Sequence, residues 1–212
     1  MTPKDVENLP CEACDMGKSI KHMTVDRRTS LKNVGEGWHC DVGSLNPESM
    51  EGYRYFCLTT EDVSRYRIFR ALKQKSEASA ELKSILSRVN TDLRQKHNSR
   101  VRQVVIDGGR DWGLNSFQEF AEGLEIEVII SAPNNQYQNG VSERGIRFIQ
   151  DAARCCSIQM KVPSIFWNYM LEMACYTLNR TSQSPVRDHK TPHEVYWSVM
   201  DDTKMTANVG HL

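Results

Sequence analysis

The sequence predicts an α/β domain with a central mixed sheet of about five strands flanked by helices. Three observations carry this. Three β-favouring runs follow one another at short spacing between Trp38 and Leu72. Two further strand-like runs, 102–107 and 126–130, are each preceded by a helical segment. Amphipathic helical patterns occupy most of the chain from there to residue 199.

The elements follow in order. Residues 38–43 form the first strand, with Asp41 inside it. YRYFCLTT at 53–60 is rich in aromatic and β-favouring residues, RYRIFRAL at 65–72 is another such run, and their spacing predicts a three-stranded antiparallel meander. Leu82, Ile85, Leu86, Val89 and Leu93 recur at helical period, predicting a long helix over 76–96. RQVVID at 102–107 is a buried strand ending at Asp107, broken by Gly108 and Gly109. A short helix at 116–123 and a strand at 126–130 come next. SAPNNQYQNG at 131–140 reads as a loop from its Pro, Gly and Asn content. A helix is expected from Val141, with Val141, Phe148, Ala152 and Cys156 facing inward and Glu143 in the first turn. Trp167, Met170, Leu171, Ala174, Cys175 and Leu178 mark an amphipathic helix over 164–179, and a short helix at 192–199 closes the domain. The order β-β-β-α-β-α-β-α is that of an RNase H-like domain. In that topology the first and fourth strands are neighbours, so Asp41 and Asp107 are expected side by side with Glu143 above them.

Composition bounds the rest. A chain of 212 residues with 39% hydrophobic residues suits one main domain with tails. No apolar run approaches the roughly 18 residues of a membrane span, and with Lys4, Asp5 and Glu7 and no apolar stretch beside them no signal-peptide pattern is visible in the first residues. Seven cysteines, without a secretory pattern, point to reduced thiols; Cys40, Cys57, Cys155, Cys156 and Cys175 read as core or half-buried residues. The formal net charge is zero, so any nucleic-acid contact must use a local basic face.

Asp41, Asp107 and Glu143 are the principal candidate site. Hard divalent cations take few, well-placed carboxylate oxygens and keep water or phosphate as their other ligands. Two such ions serve both the attacking and the leaving oxygen of a phosphodiester displacement. Without a cation, three converging carboxylates repel one another. His39, two residues before Asp41, shares its strand face and is either a neighbour of that cluster or an ordinary packed histidine.

An ordered series of landmarks then resembles the integrase of copia-type LTR retrotransposons over about residues 11–212. They are CEACDMGK, WHCD, GYRYFCLTTEDVSRY, KQKSEA, VVIDGG, SAPNNQYQNGVSERGIRFIQDAAR, FWNYMLEMACYTLNR and TPHEVYW. The sequence departs from the family pattern at Gly108, where Asn is usual, at Gly43-Ser44 in place of Gly-Pro, and at Gln136 in place of a second proline.

The resemblance implies two Mg²⁺ or Mn²⁺ ions on Asp41, Asp107 and Glu143, and transesterification that inserts element DNA into target DNA. It implies DNA ends and target DNA as partners, a homo-oligomer when active, no membrane, and a nuclear site of action after a cytoplasmic virus-like particle stage. It divides the chain into a zinc-module remnant and basic linker (1–36), a catalytic core (37–200) and a truncated tail (201–212), within a longer polyprotein. Cys11 and Cys14 have zinc-ligand spacing, but the family supplies the other zinc ligands as histidines upstream. Candidate DNA contacts are Arg144, Arg147 and Arg154 on the third-acid helix, Gln138 and Asn139 before it, Arg110 after the second acid, and Lys18, Lys21, Arg27 and Arg28 in the linker. Arg147 also stands four residues after Glu143, where it can simply pair with it. Two alternatives stand beside this reading: a DNA-binding relic that has lost the chemistry, and a metal-dependent nuclease of the same fold.

Overall fold

A computed structural model of the chain describes residues 31, 33–107, 112–131, 136–182 and 189–200. The strands are β1 (Gly37–Ser44), β2 (Tyr55–Glu61), β3 (Arg67–Leu72), β4 (Gln103–Asp107) and β5 (Glu127–Ser131). Among the described residues the helices are α1 (Glu77–His97), α2 (Leu114–Gly123), α3 (Gln136–Met160), α4 (Trp167–Thr181) and α5 (Pro192–Met200), with a 3-10 turn at Ser164–Phe166. The sheet order is β3-β2-β1-β4-β5. β1 pairs antiparallel with β2 and parallel with β4, while β2 and β3 complete the antiparallel meander. This is the mixed five-stranded sheet the pattern predicts.

Alternation along the strands sorts side chains into two layers. Trp38, Cys40, Val104 and Ile106 pack with Leu82, Leu86 and Leu93 of α1, Phe117 of α2 and Tyr196 of α5. Each fully buried leucine there contributes about 1.5–3 kcal/mol by leaving water. On the opposite face Phe56, Leu58 and Phe69 pack against Ile149 and Ala153 of α3 and Trp167, Met170 and Leu171 of α4. His39, Asp41, Val105 and Asp107 fall on this second face by period two.

Two of the landmark motifs are fold devices. In TPHEVYW, Thr191 and Glu194 form a reciprocal capping box: Thr191 N–H donates to Glu194 Oε2 at 2.7 Å, and Glu194 N–H donates to Thr191 Oγ1 at 3.2 Å. Tyr196 then stacks on Tyr66 with ring centroids 4.4 Å apart. In TLNR, Asn179 accepts from Arg67 N–H at 3.0 Å and donates to Arg67 C=O at 2.8 Å. That pair satisfies backbone groups on β3, an edge strand, which would otherwise offer a template for pairing with other chains.

Gly43 faces Phe56 across the β1–β2 ladder. A Cβ at Gly43 would lie 2.2 Å from the Phe56 Cζ. Phe56 is fully buried and cannot swing aside. Gly43→Ala is therefore expected to lose about 1–3 kcal/mol, the usual cost of overpacking a core. Chemical denaturation of the two proteins checks this, and equal midpoints would contradict it.

The third-acid helix departs from the sequence reading in two ways. It begins at Gln136, so Gln138, Asn139 and Gly140 lie inside α3, and Glu143 is its eighth residue rather than a member of its first turn. Its buried residues are Ser142, Gly145, Ile149 and Ala153, not Val141, Phe148, Ala152 and Cys156. Three of those four are small, and smallness is what lets α3 lie close to the sheet: a Cβ at Gly145 would stand 3.2 Å from Leu58 Cδ2. Phe148, expected inside, is 51% exposed, with the Arg67 guanidinium 5.8 Å over its ring. Cys40, Cys57 and Cys175 are buried and Cys156 is half-buried as expected, but Cys155 is exposed because it lies off the buried stripe of α3.

Candidate active site

The parallel β1–β4 register pairs Gly37 with Gln103 and continues to Cys40 with Ile106. One residue further along each strand stand Asp41 and Asp107. Both are half-buried. Asp41 Oδ1 accepts the backbone N–H of Val42 at 2.8 Å. Asp107 Oδ1 accepts the indole Nε1–H of Trp112. Glu143 is exposed on α3, which packs over β1, β2 and β4.

The electrostatics link the three acids. Burial, opposed by the Val42 N–H and reinforced by the charges of Asp107 and Glu143, pushes the Asp41 carboxyl up to about 6. Its anionic form is therefore costly unless a cation shares the site. An all-oxygen donor set of this kind suits Mg²⁺ or Mn²⁺, so the residues fit such an ion. Among the described residues, no three His, Cys, Asp or Glu side chains stand close enough to hold a metal as they are placed.

His39 does not turn to the acids. Its Nε2 lies 3.1 Å from Asp62 Oδ1, and Arg65 Nη1 donates to the same oxygen at 3.1 Å. His39 thus braces the β2–β3 turn. Arg144 and Arg147 are exposed on α3 beyond Glu143, and Arg144 Nε donates to Gly140 C=O at 2.7 Å. Arg154 pairs with Asp151 at 3.5 Å on the same helix. Arg110, Cys11, Cys14, Lys18, Lys21, Arg27 and Arg28 lie outside the described residues. So do the side chains of Gln138 and Asn139.

Two residues escaped the sequence reading. Trp112 contacts Asp107 from the neighbouring core, and Glu61, fully buried, gathers backbone N–H groups from Gly35, Val63 and Ser64. Nothing in DGGRDW or TTEDVS marks either role, since both depend on the chain turning back on itself.

Comparison with known proteins follows the same line. No family model matches the chain. It is 25% identical over 178 residues to the retrovirus-related Pol polyprotein from transposon TNT 1-94 of Nicotiana tabacum, which covers 84% of this chain and 13% of that polyprotein. It is 26% identical over 176 residues to the polyprotein from transposon RE1 of Arabidopsis thaliana, covering 81% of this chain and 11% of that one. The chain thus spans roughly an eighth or less of the curated relatives it matches. Among solved structures, the simian T-cell lymphotropic virus intasome in complex with PP2A regulatory subunit B56 gamma contains a chain similar at TM-score 0.59 and 15% identity, over 84% of this chain and 58% of that one. The catalytic core domain of BIV integrase is similar at TM-score 0.53 and 18% identity, over 77% of this chain and 95% of that one. These likenesses give the fold as RNase H-like, and with the Pol relatives they make the chain a protein like the catalytic cores of retroviral and copia-type retrotransposon integrases.

Proposed function

We propose that the chain is the catalytic core of a DNA strand transferase that joins element DNA ends to target DNA. One observation carries the reading: Asp41 and Asp107 stand on adjacent parallel strands, one residue beyond the Cys40–Ile106 pair, and the Asp41 carboxyl is pushed up by burial together with the charges of Asp107 and Glu143. Asp41, Asp107 and Glu143 would hold the divalent ions. When bound, two Mg²⁺ or Mn²⁺ ions supply the positive charge that favours attack by a DNA 3′-hydroxyl and departure of the leaving oxygen. The chain's own part is to place three carboxylates and to orient DNA. Arg144 and Arg147 on α3 suit phosphate contacts, which position DNA without reading its sequence. Gln138, Asn139, Arg110, Lys18 and Lys21 extend the same proposal. The proposal extends to a homo-oligomer acting in the nucleus after a particle stage in the cytoplasm, as the resemblance to integrases implies. Among the described residues no helix is long and apolar enough to cross a membrane.

A second reading is a DNA-binding relic. It is favoured by one observation, that no three-ligand group is assembled among the described residues. A branched DNA substrate separates the readings, because reversing strand joining asks only for the core. The expected result is a rejoined strand that forms only with Mg²⁺ or Mn²⁺ and falls about 10²–10³-fold in Asp107→Asn, as when charge stabilisation of a transition state is lost. Folded protein that binds the substrate and yields no rejoined strand supports the relic. Hydrolysed ends alone point to a nuclease.

A further inference from the structure

Asp107 is held by a donor outside the acidic set. Trp112 is 2% exposed, and its ring packs on Phe117 of α2 with centroids 6.3 Å apart. It belongs to the hydrophobic layer on the other face of the sheet from α3. From there its indole N–H reaches past the end of β4 to Asp107 Oδ1. An indole offers one N–H and no acceptor. Its ring, fixed among Phe117 and its neighbours, leaves that N–H little freedom of direction. A carboxylate has about four lone-pair sites, so one N–H fixes the rotation of the Asp107 carboxylate and leaves it able to ligate a cation. Groups that orient metal-binding side chains from behind commonly set affinity as strongly as some ligands do.

We propose that Trp112 is the positioning residue of Asp107: its buried indole N–H fixes the carboxylate beside Asp41, and so sets how tightly the site takes a divalent cation. This rests on the reading that Asp41, Asp107 and Glu143 bind the metal. Trp112 touches neither substrate nor reacting atoms, and the donation is specific to an indole, since phenylalanine at this position keeps an aromatic ring and loses the hydrogen bond.

The test is divalent-metal binding to the whole chain without DNA, followed by melting temperature against Mg²⁺ and by the indole ¹H–¹⁵N resonances. Ligand that binds the folded state raises the melting temperature by an amount that grows with the logarithm of its concentration over its Kd. Trp112→Phe is expected to move the Mg²⁺ midpoint to concentrations about 10–100-fold higher. Phe117→Leu, which disturbs the same packing and keeps the donor, is expected to leave the midpoint in place. In the unmutated protein the Trp112 indole resonance should shift on Asp107→Ala and broaden with Mn²⁺ before those of Trp38 and Trp167, whose N–H groups donate to Gly35 and Pro47 C=O. An unchanged midpoint in Trp112→Phe overturns the proposal and leaves the metal reading standing. So does a Trp112 resonance indifferent to Asp107→Ala, a measurement that needs no Trp112 variant to fold. No response to Mg²⁺ or Mn²⁺ in any of the proteins, the unmutated one included, overturns the metal reading itself and the proposal with it.

Discussion

Asp41→Asn is expected to abolish metal-dependent strand rejoining and, in the same protein without metal, to raise the melting temperature. The second effect follows from the first site's electrostatics. Burial pushes the Asp41 carboxyl up to about 6, and the charges of Asp107 and Glu143 add to the push. An unfolded aspartate titrates near 3.9. The folded state therefore binds more protons than the unfolded state between about pH 4 and pH 6, and stability falls as pH rises through that window. Above it the full cost is present. A shift of two pKa units corresponds to about 3 kcal/mol; solvent reaches the half-buried side chain, so about 1–2 kcal/mol is the fairer expectation. For a domain of this size that is roughly 3–6 °C in melting temperature. Asparagine keeps an acceptor for the Val42 N–H and carries no charge, so it escapes the cost. Calorimetry at pH 7.5 and pH 4 in chelator checks the sign: the variant should be the more stable at pH 7.5, with the advantage nearly gone at pH 4. Added Mg²⁺ should stabilise the unmutated protein and not the variant. A variant less stable than its parent at pH 7.5 would contradict the argument, because it would mean that the half-buried Asp41 carboxylate carries no net electrostatic cost.

The same site shows where sequence legibility ended. The strands were readable because Trp38, Cys40, Phe56, Leu58, Val104 and Ile106 are large apolar residues on a period of two, and burial follows that period. Asp41 and Asp107 were readable as neighbours because the order of elements is that of a topology in which the first and fourth strands pair. The face of α3 was not. Of its described inward residues Ile149 is large and apolar, but Ser142, Gly145 and Ala153 give little hydrophobic signal, whereas Val141 and Phe148 do. The helix lies close to the sheet at the expense of burying Phe148, and an arginine from β3 covers part of what was left out. The start of α3 was hidden for a related reason. Pro, Asn and Gly normally punctuate loops, and a helical glycine costs about 1 kcal/mol; Gly140 is carried by the packing that follows it. Trp112 and Glu61 were invisible because their partners lie across turns that composition does not describe. TLNR and TPHEVYW were informative as marks of kinship before their physical work, satisfying the β3 backbone and stacking on Tyr66, could be assigned.

Glu61 gives the largest expected loss of stability. It ends β2 and is fully buried. Its Oε1 accepts the Gly35 N–H at 2.9 Å, and its Oε2 accepts the N–H groups of Val63 at 3.0 Å and Ser64 at 2.5 Å and the Ser64 hydroxyl at 2.6 Å. One carboxyl thereby joins the turn that enters β1 to the turn that leaves β2. Glu61→Ala strands several buried donors at about 1–3 kcal/mol each, and an overall loss of about 3–5 kcal/mol is expected, roughly 10 °C or more in melting temperature. Glu61→Gln is expected to lose about 1–3 kcal/mol, because the amide oxygen can serve the Ser64 side while its NH₂ faces the Gly35 N–H and leaves it without an acceptor. Burial pushes the Glu61 carboxyl up, against the pull of its four donors. Its folded value thus lies above its unfolded one, and the parent protein sheds stability as pH climbs past the ordinary glutamate range. Glutamine does not titrate. A protonated carboxyl still accepts at both oxygens, so the parent's advantage over Glu61→Gln should be greatest in acid and narrow towards neutrality. Denaturation midpoints of the three proteins at pH 4.5 and pH 7.5 measure it. Alanine and glutamine variants of equal stability would show that the donors find water or new partners, and that this carboxyl does not tie the two turns together.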